Sequence, residues 1–307
     1  MVIWTGTSVP VETVDFHLWQ PCNMRCGFCF ATFRDVRRSV LPDGHLPAEQ
    51  AERIVVELAG AGFQKITFAG GEPLLCPWLG DLVRTAHEAG AVTALVTNGS
   101  LLDERTLDAL AGVLDWVTIS VDSLRPPTLQ AIGRTTRGRA MDADAYRRLC
   151  AQVKARGYHL KINTVVNAAN WLEEMTDFIT TVLPERWKIL QVLPVRGQNS
   201  HKVDPFIISP EQFDDFVDRH LGVRDHGVTI VREDNDAMRG SYAMVDPAGR
   251  FFDAVAPWGY TYSEPILSVG VDTAISQIFI SREKFLARGG SYEQDPSVDR
   301  RSVLGAR

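Results

Sequence analysis

The chain has 307 residues, 45% of them hydrophobic and 23% charged, with a net charge of -6. This is globular composition with enough apolar residues for a substantial core, and the acidic surplus argues against a general nucleic-acid surface. No apolar run approaches ~18 residues, and the opening Met1–Gly6 lacks the basic and apolar regions of a secretion signal, so neither a membrane-spanning helix nor a leader is expected. Five cysteines, three of them clustered, fit a reducing cytoplasm better than a disulfide framework.

Apolar runs and helical stretches alternate from residue 13 to about residue 195. Thr13–Trp19 reads as a first strand that ends just before Pro21-Cys22-Asn23-Met24-Arg25-Cys26-Gly27-Phe28-Cys29-Phe30. The spacing C-x3-C-x2-C offers three thiolates within eight residues. A four-iron cluster normally takes four cysteine ligands, so three leave one iron open to a small molecule. A structural zinc site would need a fourth ligand, and neither His17 nor His45 has zinc-finger spacing. A ferredoxin would need a fourth cysteine, and Cys76 and Cys150 have no cluster spacing. Arg34, Arg37 and Arg38 follow in the next loop.

Pro47–Gly60 reads as a helix, with Ala51, Ile54, Val55 and Leu58 on one face. The second strand, Lys65–Ala69, runs into Gly70-Gly71-Glu72-Pro73, where glycines let the backbone approach a ligand closely or simply form a turn. A helix over Trp78–Glu88 and a third strand over Val92–Thr97, closed by Asn98-Gly99-Ser100, come next. After a helix over Asp103–Ala111, the fourth strand Trp116–Ser120 places Thr118, Ser120 and Asp122 on one face. Asn98 and Ser120 are placed to hydrogen-bond a ribose, or to serve as caps and turns. Arg134 follows in Ile132-Gly133-Arg134, before a helix over Asp142–Arg156. The fifth strand, His159–Val166, puts His159, Lys161 and Asn163 on one face. An inward lysine is costly unless it meets an anion. A helix over Leu172–Val182 leads to a sixth strand, Trp187–Leu193, around whose start Arg186 and Lys188 share a face. Singly, such bases are often solvated surface charge. Together, bases from several strand ends can converge on a polyanion such as a triphosphate.

Six strand-helix units of ~30 residues each predict an α/β fold, a partial (β/α)6 barrel, since a full eight-unit barrel typically takes ~250 residues. Beyond residue 195 the rhythm breaks into a helix (Pro210–His220), an apolar run (Val228–Val231), helix-like Asn235–Gly240 and a hairpin from Tyr242 to Phe252 that turns at Asp246-Pro247-Ala248-Gly249. This C-terminal extension is expected to pack at the barrel mouth.

The cysteine run and Gly70-Gly71-Glu72-Pro73 resemble the radical S-adenosylmethionine (SAM) enzymes. Within them the chain is similar to the viperins, over about residues 14 to 292. The resemblance also includes Asn98-Gly99-Ser100, Ile132-Gly133-Arg134, Lys161-Ile162-Asn163, Arg186-Trp187-Lys188, Ser241-Tyr242, Val269-Gly270-Val271 and Arg288-Gly289-Gly290. It implies a radical-SAM partial barrel over residues 13–196, after an arm over 1–12, with 197–307 contributing to a nucleotide site. It implies a 4Fe-4S cluster on Cys22, Cys26 and Cys29, with SAM chelating the open iron and cleaved reductively to methionine and a 5′-deoxyadenosyl radical. Phe28, Phe30, Gly70, Gly71, Glu72, Asn98 and Ser120 would then bind SAM.

Viperins remove the 4′ hydrogen and 3′-hydroxyl of a ribonucleoside triphosphate, typically CTP, giving a 3′-deoxy-3′,4′-didehydro nucleotide that terminates polymerase extension in antiviral defence. By position, Arg34, Arg134, Lys161, Asn163, Arg186 and Lys188 would hold phosphates and ribose, and Tyr242 would act late in the radical step. A cellular one-electron reductant is implied, with neither nucleic acid nor membrane as partner. The choice among CTP, UTP and GTP would rest on Gly197–Ile208 and the loop after Cys29. Three departures stand out. The amphipathic membrane helix of eukaryotic viperins has no counterpart. Ser263-Glu264-Pro265 replaces a lysine-bearing segment, and Val303-Leu304-Gly305-Ala306-Arg307 replaces an aromatic C-terminus. The alternatives are another radical-SAM enzyme acting on a different nucleotide or a peptide, which usually carries auxiliary-cluster cysteines absent after Cys150, or a non-enzymatic metal-binding protein.

Overall fold

The computed structural model describes residues 9–291. Alternating strands and helices build its first half: β1 (Thr13–Trp19), α1 (Arg34–Ser39), α2 (Ala48–Gly60), β2 (Lys65–Gly70), α3 (Leu79–Glu88), β3 (Val92–Thr97), α4 (Glu104–Ala109), β4 (Trp116–Ser120), α5 (Pro126–Ala131), α6 (Ala143–Ala155), β5 (His159–Val166), α7 (Thr176–Val182) and β6 (Arg186–Gln191). The second half contributes α8 (Pro210–Arg219), β7 (Thr229–Glu233), α9 (Asn235–Met238), β8 (Ala243–Val245), β9 (Arg250–Asp253), β10 (Thr261–Pro265), α10 (Ile266–Val269), α11 (Val271–Ser276) and α12 (Arg282–Ala287).

These strands form one sheet in the order β10-β9-β8-β1-β2-β3-β4-β5-β6-β7. β1 to β6 are parallel neighbours, as the repeating units predict. The ladder then continues beyond six strands. β7 pairs parallel with β6, and β8 pairs parallel with β1 on the opposite edge. The predicted hairpin is β8–β9, closed at Gly249, whose φ of 73° suits the left-handed end of the turn.

Four strand predictions match to the residue. The sixth strand begins one residue earlier than predicted, because Arg186 already pairs with Lys161 of β5. The seventh helix starts four residues late, at Thr176. The intervening residues follow a polar turn in which Asn170 Oδ1 accepts from Asn167 N at 2.7 Å and Asn167 Oδ1 from Ala169 N at 3.0 Å. The short α1 and α5 carry too few apolar positions for periodicity to announce them.

The two faces of the parallel strands differ in character. Val14, Phe16, Ile66, Phe68, Leu95, Val117, Ile119, Ile162, Trp187 and Ile189 are fully buried. On β2, β5 and β6 this buried row alternates with residues that line the cavity on the sheet's other face. Burial of side chains of this size contributes ~1.5–3 kcal/mol each. The concave row holds Thr13, Asp15, His17, Lys65, Thr67, Ser120, Lys161, Asn163, Arg186 and Lys188. A core cannot be packed from such residues, so the sheet curves around a cavity.

Candidate active site

The cavity has a volume of about 280 Å³ and runs the length of the barrel interior. At the strand C-termini it is lined by Cys22, Cys26, Cys29, Gly70, Gly71, Asn98, Ser120 and Arg134. Toward the strand N-termini it is lined by Thr13, Lys65, Lys161 and Arg186. Thr13, Lys65 and Arg186 are the first residues of β1, β2 and β6. The bases therefore do converge, but Lys65, Lys161 and Arg186 do so from the starts of their strands and not from the ends.

Four clamps hold the cysteine loop. Gly71 N donates to Trp19 O at 2.5 Å and Glu72 N to Pro21 O at 3.0 Å. Asn98 Nδ2 donates to Asn23 Oδ1, and Asn23 Nδ2 to Ser100 Oγ, both at 2.9 Å. Arg25 N and Gly27 N donate to Gly133 O and Ile132 O at 3.1 and 3.0 Å. Asn199 Nδ2 donates to Phe28 O at 2.9 Å. The glycines are required by this packing. A Cβ on Gly70, Gly71 or Gly133 would stand 2.3 Å from the carbonyl oxygen of Trp19, Gln20 or Arg25. The Gly70-Gly71 pair thus brings backbone against the cysteine loop as well as lining the cavity.

Cys22, Cys26 and Cys29 are unbridged and half-buried. Burial raises all three thiols, Cys29 to about 12, and Cys29 also feels the other two. Among the described residues, no three His, Cys, Asp or Glu side chains are close enough to share one metal ion. In a four-iron cluster each thiolate takes its own iron. Three sulfurs on one cavity wall, with none of the other cysteines lining it, fit such a cluster with one iron left open.

Several predicted cofactor residues serve the scaffold. Glu72 is fully buried, does not line the cavity, and accepts from Thr97 Oγ1 at 2.7 Å, Asn98 N at 2.8 Å and Leu74 N at 3.1 Å. Burial raises its carboxyl above the usual range, against these hydrogen bonds. Asn98 lines the cavity, while its amide is engaged with Asn23 and Ser100. Phe28 is buried, with its ring edge-on to Phe206. Phe30 borders the cavity, and its carbonyl accepts from Tyr260 Oη at 2.8 Å.

Among the predicted phosphate ligands, Arg134 sits apart from Lys161, Arg186 and Lys188. The Gly133 clamp carries it to the cysteine loop, where its guanidinium is buried and paired with Asp122. Asp122 also accepts from Val165 N at 2.9 Å. The charge of Arg134 is felt by Cys22, Cys26 and Cys29. Arg34 is exposed on α1 and does not line the cavity. Glu264 is exposed on β10, bonded to Gln277 at 3.0 Å, and also lies outside the cavity. The C-terminal run Val303–Arg307 lies outside the described residues.

Lys161, Asn163 and Lys188 face the cavity, and Arg186 Nη2 donates to Gly289 O at 2.8 Å. Asn163 Oδ1 is buried without a hydrogen-bond partner, as is His17 Nδ1. Tyr242 is both a bonded and a cavity-lining residue. Its hydroxyl donates to Glu233 and accepts from Lys188 Nζ at 2.7 Å. Burial raises its phenol well above 10, and Glu233 adds to the rise while Arg288 opposes it. Lys65, Asp15 and Glu233 have no role in the sequence reading, where His17 enters only as a rejected zinc ligand and Arg288 only within the Arg288-Gly289-Gly290 resemblance. For Lys65 the signal was present, because Lys65, Thr67 and Ala69 alternate with Ile66 and Phe68.

The sequence pattern of the radical SAM superfamily matches residues 19–179. The chain is 50% identical over 283 residues to a Lacinutrix mariniflava protein described as an S-adenosylmethionine-dependent nucleotide dehydratase. That match covers 92% of this chain and 58% of the relative's length. A Flammeovirga pacifica protein of the same description is 46% identical over 289 residues, covering 94% of this chain and 98% of the relative. Among solved structures, native anSMEcpe with bound AdoMet matches with a TM-score of 0.64 at 16% identity, over 90% of this chain and 82% of that one. A likeness at that identity speaks for the fold alone.

Proposed function

Because this chain belongs to the radical SAM superfamily and, within it, to the S-adenosylmethionine-dependent nucleotide dehydratases that include the viperins, we propose that it converts a ribonucleoside triphosphate (CTP, UTP or GTP) to the 3′-deoxy-3′,4′-didehydro analogue. One observation carries the choice of a phosphorylated substrate. A single cavity joins a three-thiol wall to a cluster of lysine and arginine side chains. Among the described residues no helix is long and apolar enough to cross a membrane.

The cofactors of this class are a 4Fe-4S cluster and SAM. When bound, they supply the radical that takes a hydrogen atom from substrate. Cys22, Cys26 and Cys29 would hold the cluster. Arg134, paired with Asp122 and felt by the thiols, would meet the carboxylate of SAM in this reading, in place of the substrate phosphate expected from sequence. The backbone of Gly70 and Gly71, with Ser120, lines the same end. Lys65, Lys161, Arg186 and Lys188 would bind the triphosphate, since buried cations gain most from an anion they can meet directly. Asn163 Oδ1 would accept from a ribose hydroxyl, which satisfies an otherwise partnerless buried oxygen.

Loss of the 4′ hydrogen atom leaves a carbon radical on the ribose. Departure of the 3′-hydroxyl as water then consumes one proton and one electron. Tyr242 would supply both, its hydroxyl turning from Glu233 toward the ribose as the phenol becomes a neutral phenoxyl, which an external one-electron reductant and a proton restore. The test uses reduced, cluster-loaded protein with SAM and each of the four ribonucleotides in turn. The reading requires 5′-deoxyadenosine together with a nucleotide product lighter by one water. Deoxyadenosine formed while all four nucleotides stay intact would overturn it.

A further inference from the structure

The cysteine loop has an outer face as well as an inner one. Met24 and Phe28 are buried and Cys26 lines the cavity, whereas Arg25 is exposed. Adjacent residues thus present a guanidinium to solvent and a thiol to the cavity, so the loop itself is the cover over the thiol wall.

Two segments flank this face. Gly133, whose carbonyl accepts from Arg25 N, leads into a tight turn in which Thr136 N donates to Arg139 O at 2.9 Å. Arg137 and Arg139 on that turn are exposed, although Arg134 just before it is buried. On the other flank, a Cβ on Gly27 would stand 2.4 Å from the Phe206 ring, so Phe206 packs directly on the loop. Near it Lys202 is exposed, and so is the apolar side chain of Ile207, at 48%. Asp204 is exposed as well, with Oδ2 3.9 Å from His201 Nδ1. None of Arg25, Arg137, Arg139 and Lys202 lines the cavity, and among the described residues none has its side chain in an ion pair or a hydrogen bond. α1 is tied to the same stretch by Gln198 Nε2, which donates to Asp35 Oδ1 at 2.8 Å, and it adds exposed Arg34 and Arg38. A chain with a net charge of -6 has therefore gathered cations at the end that holds its thiols.

Resting on the radical-SAM part of the reading above, we infer that this outer face of the cysteine loop is the docking surface for an acidic one-electron carrier protein. Reductive cleavage of SAM needs one electron per event. The carrier is oxidised by that one electron, and SAM takes it up, by way of the cluster, as it splits to methionine and the 5′-deoxyadenosyl radical. A nucleotide bound in the cavity would not touch these cations, because they lie outside it. Cations flanking an apolar spot suit a protein surface better than a small anion, with Ile207 for the buried centre and the charges for the rim. Docking here sets the carrier one loop away from the cluster ligands, and the arginine side chains would meet its carboxylates. Such steering is strong at low salt and fades as ions screen it.

The test uses cluster-loaded protein and, as probe, a flavodoxin, an acidic flavin protein that delivers one electron at a time. Binding is measured by calorimetry at low and high salt. Contacts are mapped by carbodiimide coupling, which joins a lysine amine directly to a carboxylate. Lys202 of the wild type should couple to flavodoxin, and affinity should fall as salt rises. Arg137→Glu combined with Lys202→Glu should bind flavodoxin about tenfold or more weakly at low salt. Arg224→Glu, which precedes β7 and so alters a charge at the strand N-termini, should bind like wild type. Deoxyadenosine formation driven by reduced flavodoxin should drop in the double variant. Formation driven by the methyl viologen radical cation, which gains nothing from a cationic surface, should match wild type.

The inference fails if the wild type shows no salt-sensitive binding, if the double variant binds as tightly as wild type, or if coupling is confined to other lysines. It also fails if the KM for CTP rises equally with either reductant, since the cations would then serve the substrate. Should the double variant not fold, Arg139→Gln alone should still weaken flavodoxin binding severalfold, and an unchanged affinity counts against the docking surface. If viologen-reduced wild type cleaves SAM and leaves every nucleotide intact, the dehydratase reading fails. Binding and coupling decide the docking surface in either case.

Discussion

The guanidinium of Arg288 lies 3.6 Å from the centroid of the Tyr242 ring. Arg288 is itself held by the carbonyl of Ser241, at 2.9 Å from Nη2. The residue before the tyrosine thus fixes the cation that covers it. A desolvated cation–π contact of this kind is worth ~2 kcal/mol. The ring is pinned by its face and the hydroxyl by Glu233 and Lys188, so the two can be perturbed separately.

Tyr242→Phe keeps the ring under Arg288 and removes only the hydroxyl. Nucleotide binding and SAM cleavage should persist, while didehydro product per deoxyadenosine drops. Parallel loss of both products, or loss of neither, would assign Tyr242 a packing role alone.

The cysteines should divide sharply. Cys22→Ala, Cys26→Ala and Cys29→Ala should each lose the cluster, measured as protein-bound iron and sulfide, along with SAM cleavage. Cys76 and Cys150 are buried in the hydrophobic core, and burial pushes both thiols up to about 12. Their Ala variants should keep full cluster content and pay only a packing cost, seen as a lower Tm.

Lys65 and Lys161 test the phosphate end. Lys65→Ala and Lys161→Ala should each weaken CTP binding about tenfold or more, since a charge-assisted hydrogen bond contributes ~1.5–3 kcal/mol. Cytidine binding should change little. Equal losses for cytidine and CTP would place the phosphates elsewhere. Lys65 needs a control because its Nζ also sits 4.6 Å over the Trp116 ring. Lys65→Met retains the stem and should lose CTP affinity with less effect on Tm.

Gly133 has φ 77° and no room for a Cβ beside Arg25 O. Gly133→Ala should displace the loop that carries Cys26 and shift Arg134 with it. The expected result is low cluster occupancy in a chain whose circular dichroism remains native. Wild-type occupancy would show that the clamp yields without consequence.

His17 sets a pH dependence of stability. Burial lowers its pKa from 6.5 to about 4, partly offset by Asp15. The unfolded chain therefore takes up this proton before the folded one does. Stability is fully present above pH 6.5 and declines as pH falls, by ~3 kcal/mol once pH 4 is reached. His17→Phe should flatten the Tm-against-pH curve over that window relative to wild type. Parallel curves for the two proteins would mean that His17 is not held neutral.

The barrel was legible because strand alternation and helix periodicity are local. Thr13–Trp19 and His159–Val166 announce themselves without reference to anything distant. The cysteine end was legible for a similar reason, since ligand spacing is written in eight consecutive residues. The basic end of the cavity was only half visible. Lys161 stood out on an alternating strand, whereas Lys65 lay in plain sight before a more conspicuous glycine pair. The fate of Arg134 was not readable, because its direction depends on Gly133 O meeting Arg25 N across more than a hundred residues. Glu233 was hidden for the same reason. Its partners come from β6, from the start of the β8 hairpin and from the segment after α12, and no local pattern links them.

The clamped cysteine loop has a consequence for assembly. Its hydrogen bonds run to the end of β2, to Asn98 and Ser100 after β3, to Ile132 and Gly133 after α5, and to Asn199, and none of them needs iron. With Cys22, Cys26 and Cys29 as the cluster ligands, these bonds predict that most of the conformational entropy of gathering the thiols is lost during folding and little at metal capture. Chelators should strip the metal and leave a folded, reloadable protein, unlike a zinc finger, which unravels when its ion is removed.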